Sequence, residues 1–170
     1  MSYAKLLADK TLPLQARSVI SDAPYVGLII MNCAAIDSIL AQLIELVRPR
    51  CELEAIKLKT ARQASERIEE IKKAFAALSL MDHREKMLAV LDEYELIKKY
   101  RDTLAHGELV INDHSETTLF FRKISPDKTS RRQMMEVVSM DRDDMVKVAK
   151  KSLRVHAIAL TIAYELVTAE

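Results

Sequence analysis

The chain has 170 residues, 49% of them apolar and 30% charged, with 26 Lys and Arg against 25 Asp and Glu. That profile belongs to one soluble globular domain, long enough to bury roughly 70% of the surface its unfolded form exposes without disulfide or metal staples. Two Gly and four Pro leave little material for tight turns, which excludes an all-β barrel or sandwich and points to long helices.

A net charge of +1 removes the simplest electrostatic case for a nucleic-acid or membrane binder, so any RNA contact would be local. Cys33 and Cys51 are too few for a disulfide framework, and neither sits in a CxxC or Cys/His cluster. A reducing cytoplasm is the natural compartment, and neither zinc nor any other metal or cofactor is indicated. The N-terminus lacks the basic and apolar regions of a leader, and Asp37 interrupts the longest apolar run. No membrane span is expected.

In chain order, residues 1–21 read as an N-terminal arm broken by Pro13. From Asp22, apolar residues recur at three- and four-residue steps from Val26 to Val47, predicting a helix that begins around Pro24 and ends near Pro49. Leu28, Met31, Ala35, Ile39 and Leu46 line its other side. A helix apolar nearly all round needs full burial or a second partner, and a dimer surface is the economical explanation. Asp37 is a polar break on this helix, a carboxylate that must be paired if buried.

Residues 52–79 predict a second helix, with Ala61, Ala64, Ile68, Ile71, Phe75 and Leu78 on one stripe. Asp82 followed by Glu85 resembles a capping box opening a third helix, which runs through Tyr94 and Tyr100 to a stop at Gly107. Beyond it the period shortens: Leu109–Ile111 and Thr117–Lys123 flank the turn-forming stretch NDHSE, predicting a β-hairpin, with a short third strand around Met135–Ser139. Asp141 and Asp144 open a last helix that reaches residue 168. The core thus spans 22–107, the hairpin and loop 108–140, and the last helix 141–168.

The third helix carries the chemistry. Arg101 falls in the middle of the stripe made by Val90, Tyr94, Ile97 and Leu104. A guanidinium cannot shed its charge there, so it must meet a carboxylate, helix-end carbonyls, a phosphate or interfacial water. His106 follows directly before Gly107. A five-residue step on an ideal helix turns the two side chains about 140° apart. They converge only if the last turn loosens or a second copy of the helix completes the site. Taken alone, His106 reads first as a C-terminal cap and Arg101 as a structural ion-pair member.

The string YRDTLAHGEL, residues 100–109, resembles the R-x4-6-H signature of the HEPN superfamily. The order of elements is similar too: a long apolar helix, a second helix, the motif helix, a short β insertion and a final helix. The resemblance implies a HEPN-like up-and-down bundle of four to five helices that forms a homodimer, with the motif helices of two subunits lining one cleft. It implies metal-independent RNA cleavage, in which the 2′-oxygen attacks the adjacent phosphate and leaves a 2′,3′-cyclic phosphate. Arg101 would then hold the scissile phosphate, His106 would act as general acid and base, and Asp102, at the family's polar position, would orient one of them. The implied setting is a toxin or defence component restrained by a nucleotidyltransferase-like antitoxin. Glu108 stands where some family toxins extend the motif with a tyrosine.

Lys123, Lys128, Arg131 and Arg132 are candidates for an RNA-guiding edge around the hairpin, although a basic loop is also ordinary solvated surface. His156 reads as a core histidine, and His83 and His114 as surface positions in loops. The alternative function is a non-catalytic HEPN-like dimer that binds a nucleotide, RNA or protein. The shortage of aromatic residues for base stacking favours it.

Overall fold

The computed structural model of the chain describes residues 14–78, 80–110, 118–126 and 133–168. Among these the chain is mainly helical. It comprises α1 (Leu14–Leu53), α2 (Ala64–Ala77), α3 (Met81–His106), β1 (Glu108–Val110), β2 (Thr118–Pro126), β3 (Gln133–Asp141) and α4 (Arg142–Thr168). Among the described residues there are two compact units: one holds those up to Ile30 together with those between Lys99 and Lys150, the other Met31–Lys98 together with those from Lys151 to Thr168.

α1 starts ahead of the position expected from its periodicity. Pro24 therefore sits inside the helix rather than in its first turn, on an exposed stretch. An interior proline costs about 3 kcal/mol, and the burial of Ile29, Cys33, Ile36, Leu40, Leu43 and Val47 along the rest of α1 offsets that cost. The segment Val19–Leu53 is long and apolar enough to cross a membrane by composition, yet 44% of its most apolar window is buried within the protein. Its uncovered side includes Met31, which is 70% exposed.

The end of α1 explains why the second helix starts later than residue 52. Ile56 N–H donates to the Cys51 carbonyl at 2.7 Å and Ala55 N–H to that of Glu52 at 3.1 Å, the bond pair of a Schellman motif. Ala55 occupies the left-handed position, with φ 56°, where glycine is the usual residue. Ala55→Gly is expected to stabilise the protein by about 0.5–1 kcal/mol, after the added freedom of the unfolded chain is subtracted. Thermal melting measures it, and an unchanged or lower midpoint would contradict the strain. Beyond the motif, Lys59 N–H donates to buried Glu70 at 2.8 Å, which pins the segment to α2 without helical bonds. α2 opens with a capping box of Gln63 and Glu66. The Arg62 and Gln63 backbone N–H groups donate to the Glu66 carboxylate at 2.7 and 3.0 Å, and these bonds hold its pKa below the ordinary value.

In the second unit, parts of all four helices pack around Leu40, Leu43, Ile68, Phe75, Leu91 and Ile162. Tyr94 is fully buried and donates its hydroxyl to the Cys33 carbonyl at 3.2 Å. Asn32, a buried polar residue of α1, donates to Ser152 at 3.0 Å. Both bonds satisfy polar groups that burial would otherwise penalise.

In the first unit, a three-stranded antiparallel sheet runs in the order β1-β2-β3, with Leu109 across from Phe121 and Phe121 across from Val138. The third strand is longer than Met135–Ser139, reaching from Gln133 to Asp141. The NDHSE turn lies outside the described residues. Leu119, Phe121, Met140 and Met145 form a small core covered by Val19, Tyr25, Val26, Tyr100 and Leu104. Asp141 caps α4 as its sequence suggests, accepting a hydrogen bond from the Asp143 N–H at 3.3 Å.

Candidate functional site

The last turn of α3 presents the candidate residues. α3 remains a regular α-helix through His106, and Gly107 N–H still donates to the Thr103 carbonyl at 2.8 Å. No loosened turn swings Arg101 and His106 together, so within one chain they leave the helix about 140° apart. Thr103, between them, is buried and bonds its hydroxyl back to the Lys99 carbonyl at 3.1 Å.

Arg101 is less buried than its place in the stripe suggests. Its side chain is 23% exposed and its Nη1 lies 3.2 Å from Asp102 Oδ1, which is 27% exposed. The acceptor that the guanidinium requires is thus supplied in part by the neighbouring residue. His106 is exposed at the helix end. A half-buried, carboxylate-paired cation and an accessible imidazole stand within one and a half turns of helix. The guanidinium can bind an anion and the imidazole can move a proton, each on its own side of the helix.

Gly107 ends the helix for a reason that periodicity does not reveal. It has no positive φ, so the left-handed cap expected of a terminal glycine is absent. A Cβ at this position would instead lie 2.5 Å from the Thr103 carbonyl oxygen and 3.0 Å from Phe121 Cβ. The absence of a side chain lets β1 leave α3 tightly and lets Phe121 of β2 close over the turn. Gly107→Ala is expected to cost about 1–3 kcal/mol, because both obstructing groups belong to the backbone or the small core. Chemical denaturation would register the loss. A variant as stable as the parent would show that the approach is looser.

The other sequence candidates fall in different places. Lys123 is half-buried on β2, across from Glu136. Lys128, Arg131, Arg132 and His114 lie outside the described residues, so the proposed basic edge is represented here by Lys123 alone. Asp37 is half-buried on α1 within the second unit. His156 is half-buried on α4 rather than in the core, since the fully buried position is its neighbour Val155. His83 is no loop residue. It sits in the first turn of α3, which begins at Met81 ahead of the expected Asp82 cap, and its Nδ1 lies 3.3 Å from Glu165 Oε2.

Cys33 and Cys51 are free and buried, and burial pushes the Cys51 thiol above its ordinary pKa. Neither presents an accessible thiolate nucleophile. Among the described residues no group of three or more His, Cys, Asp and Glu is arranged to hold a metal ion. The residues that sequence reasoning missed are Asp22 and Arg142. The Asp22 side chain is completely buried, and Arg142 Nε donates to its Oδ1 at 2.7 Å while the guanidinium also bonds Ser21. Their separation of 120 positions leaves no periodic signal.

No protein-family profile, curated protein or solved structure matches the chain.

Proposed function

We propose that the chain is a HEPN-type endoribonuclease whose active cleft is completed by a second copy. The observation that carries this reading is the exposed His106 at the end of α3, following the half-buried Arg101–Asp102 pair within the string YRDTLAHGEL. The regular helix separates the two side chains within one chain, and an apposed motif helix would bring a second Arg101 and His106 to the same phosphate.

In this cleft Arg101 binds the non-bridging oxygens of the scissile phosphate, where its planar fork matches the charge that grows on the phosphorane. Asp102 keeps the guanidinium oriented. His106 of one copy takes the proton from the ribose 2′-oxygen as that oxygen forms its bond to phosphorus. His106 of the other returns a proton to the departing 5′-oxygen as its bond to phosphorus breaks. The products are a 2′,3′-cyclic phosphate and a 5′-hydroxyl. A cytoplasmic toxin or defence role, with a nucleotidyltransferase-like antitoxin as restraint, accompanies this reading through the resemblance alone.

The test is to incubate the purified chain with single-stranded and structured RNA in EDTA and compare it with Arg101→Ala and His106→Ala. Cleavage by the parent alone, with cyclic phosphate ends, supports the reading. Cleavage that persists near the parental rate in either variant belongs to a contaminant and removes the mechanism. The Arg101–Asp102 contact also suits a non-catalytic binding module. An inactive parent together with a marked loss of stability in Arg101→Ala would favour that alternative.

A further inference from the structure

The outer face of α4 carries an apolar stripe that the proposed cleft does not use. Leu153 is 53% exposed, Leu160 54%, Tyr164 68% and Val167 57%, and Ala157 between them is exposed as well. Their successive steps of four, three, four and three residues are those of a heptad seam, and on an ideal helix they fall within about 80° of one another. Half-exposed residues of this size in a row form a continuous patch, unlike the scattered apolar positions normal on a surface. A groove of about 510 Å³ runs beside the stripe and shares Ala157 with it. Ala89, Val90, Ile158 and Ile162 line it, with Arg154 and Glu165 among its charged residues.

We infer that this stripe is a self-association surface, on which a second copy of the chain lays its own α4 antiparallel to the first. Charge selects both the occupant and the direction. Between positions 147 and 156 the charged residues are Lys147, Lys150, Lys151 and Arg154, whereas between 157 and 168 the only one is Glu165. The helix is therefore basic at one end of the stripe and acidic at the other. A parallel pairing would oppose Arg154 to its own copy, while an antiparallel one sets Arg154 beside Glu165 of the second copy. Shape agrees with charge. With the pair centred on Leu160, Leu153 lies level with Val167 of the second copy, and small Ala157 falls one residue from level with bulky Tyr164. Each copy offers the same patch, as a two-fold interface requires.

The inference stands on α4 and does not depend on the RNA reading. Arg101 and His106 belong to the first unit and the stripe to the second, so Leu160→Glu probes this seam while Arg101→Ala and His106→Ala probe the cleft.

Sedimentation equilibrium of the full chain tests it. The parent is expected to dimerise, and Leu160→Glu to weaken dimerisation at least tenfold while melting like the parent, because the position is solvent-facing. Arg154→Glu should also weaken the dimer, and Arg154→Glu combined with Glu165→Arg should restore it, with circular dichroism confirming the helix content of each variant. A parent that stays monomeric at the highest soluble concentration, whether or not it binds anionic phospholipid vesicles, overturns the proposal. A Leu160→Glu variant that dimerises like the parent does so too. Failure of the paired reversal to restore association overturns the antiparallel arrangement.

Discussion

Replacing His106 with alanine is expected to lower RNA cleavage by ~10²–10⁴-fold while leaving the protein folded. Under the proposed mechanism the loss in rate follows from the imidazole's two proton transfers, which no neighbouring side chain would take over in the same geometry. The small effect on stability follows from exposure. His106 is solvent-facing at the helix terminus, where its interaction with the carbonyl ends is worth at most about 1 kcal/mol. Activity and melting are therefore measured on the same preparation. A variant that loses both together would place His106 in the fold rather than in the chemistry. Arg101→Ala should show a similar loss of activity. Asp102→Asn should fall less, because an amide oxygen still accepts from the guanidinium while only the charge is lost.

The largest expected loss of stability lies away from that site. Arg142→Ala should destabilise the protein by about 3 kcal/mol, the low end of the range for removing one partner of a buried ion pair. Asp22 is completely enclosed, whereas the Arg142 side chain is 37% exposed, so water entering from the arginine side recovers part of the cost. A change of that size corresponds to a fall of roughly 6–12 °C in melting temperature for a chain of this length. The double variant Arg142→Met with Asp22→Asn should lose less than Arg142→Ala, since it leaves no buried charge behind. If the double variant is the less stable of the two, the stranded carboxylate is not the cause.

The parts of this architecture that were legible in the sequence are those written within a few residues. Ile68, Ile71 and Phe75 are buried as the period of α2 requires, because one face of a helix repeats at short range. The end of α3 at Gly107 and the Asp141 cap of α4 were equally readable, since each depends on a single residue type at a helix terminus. The later start of α2 was not. α1 is closed by an alanine in a position that ordinarily selects glycine, and a non-glycine residue leaves no mark of the left-handed turn. Gly107 marks the right boundary while serving a different purpose, because the clash it avoids involves Phe121, fourteen positions away.

The candidate site divides along the same line. Local pattern identified Arg101, Asp102 and His106 and set the angle between two of them, because side chains on a regular helix have nowhere else to point. The accessibility of His106 and the seating of Asp22 against Arg142 were decided by packing between distant segments.

By itself, then, the sequence determined the order of helices and strands, where α3 stops and which residues crowd its last turn, since short-range hydrogen bonding and periodicity set these. Only the tertiary structure decided that the apolar positions of α4 divide into a buried set, Val155, Ala159, Ile162 and Leu166, and an exposed set, Leu153, Leu160, Tyr164 and Val167. Leucine and valine are equally apolar on either side of a helix, and only the placement of neighbouring elements determines which side meets water.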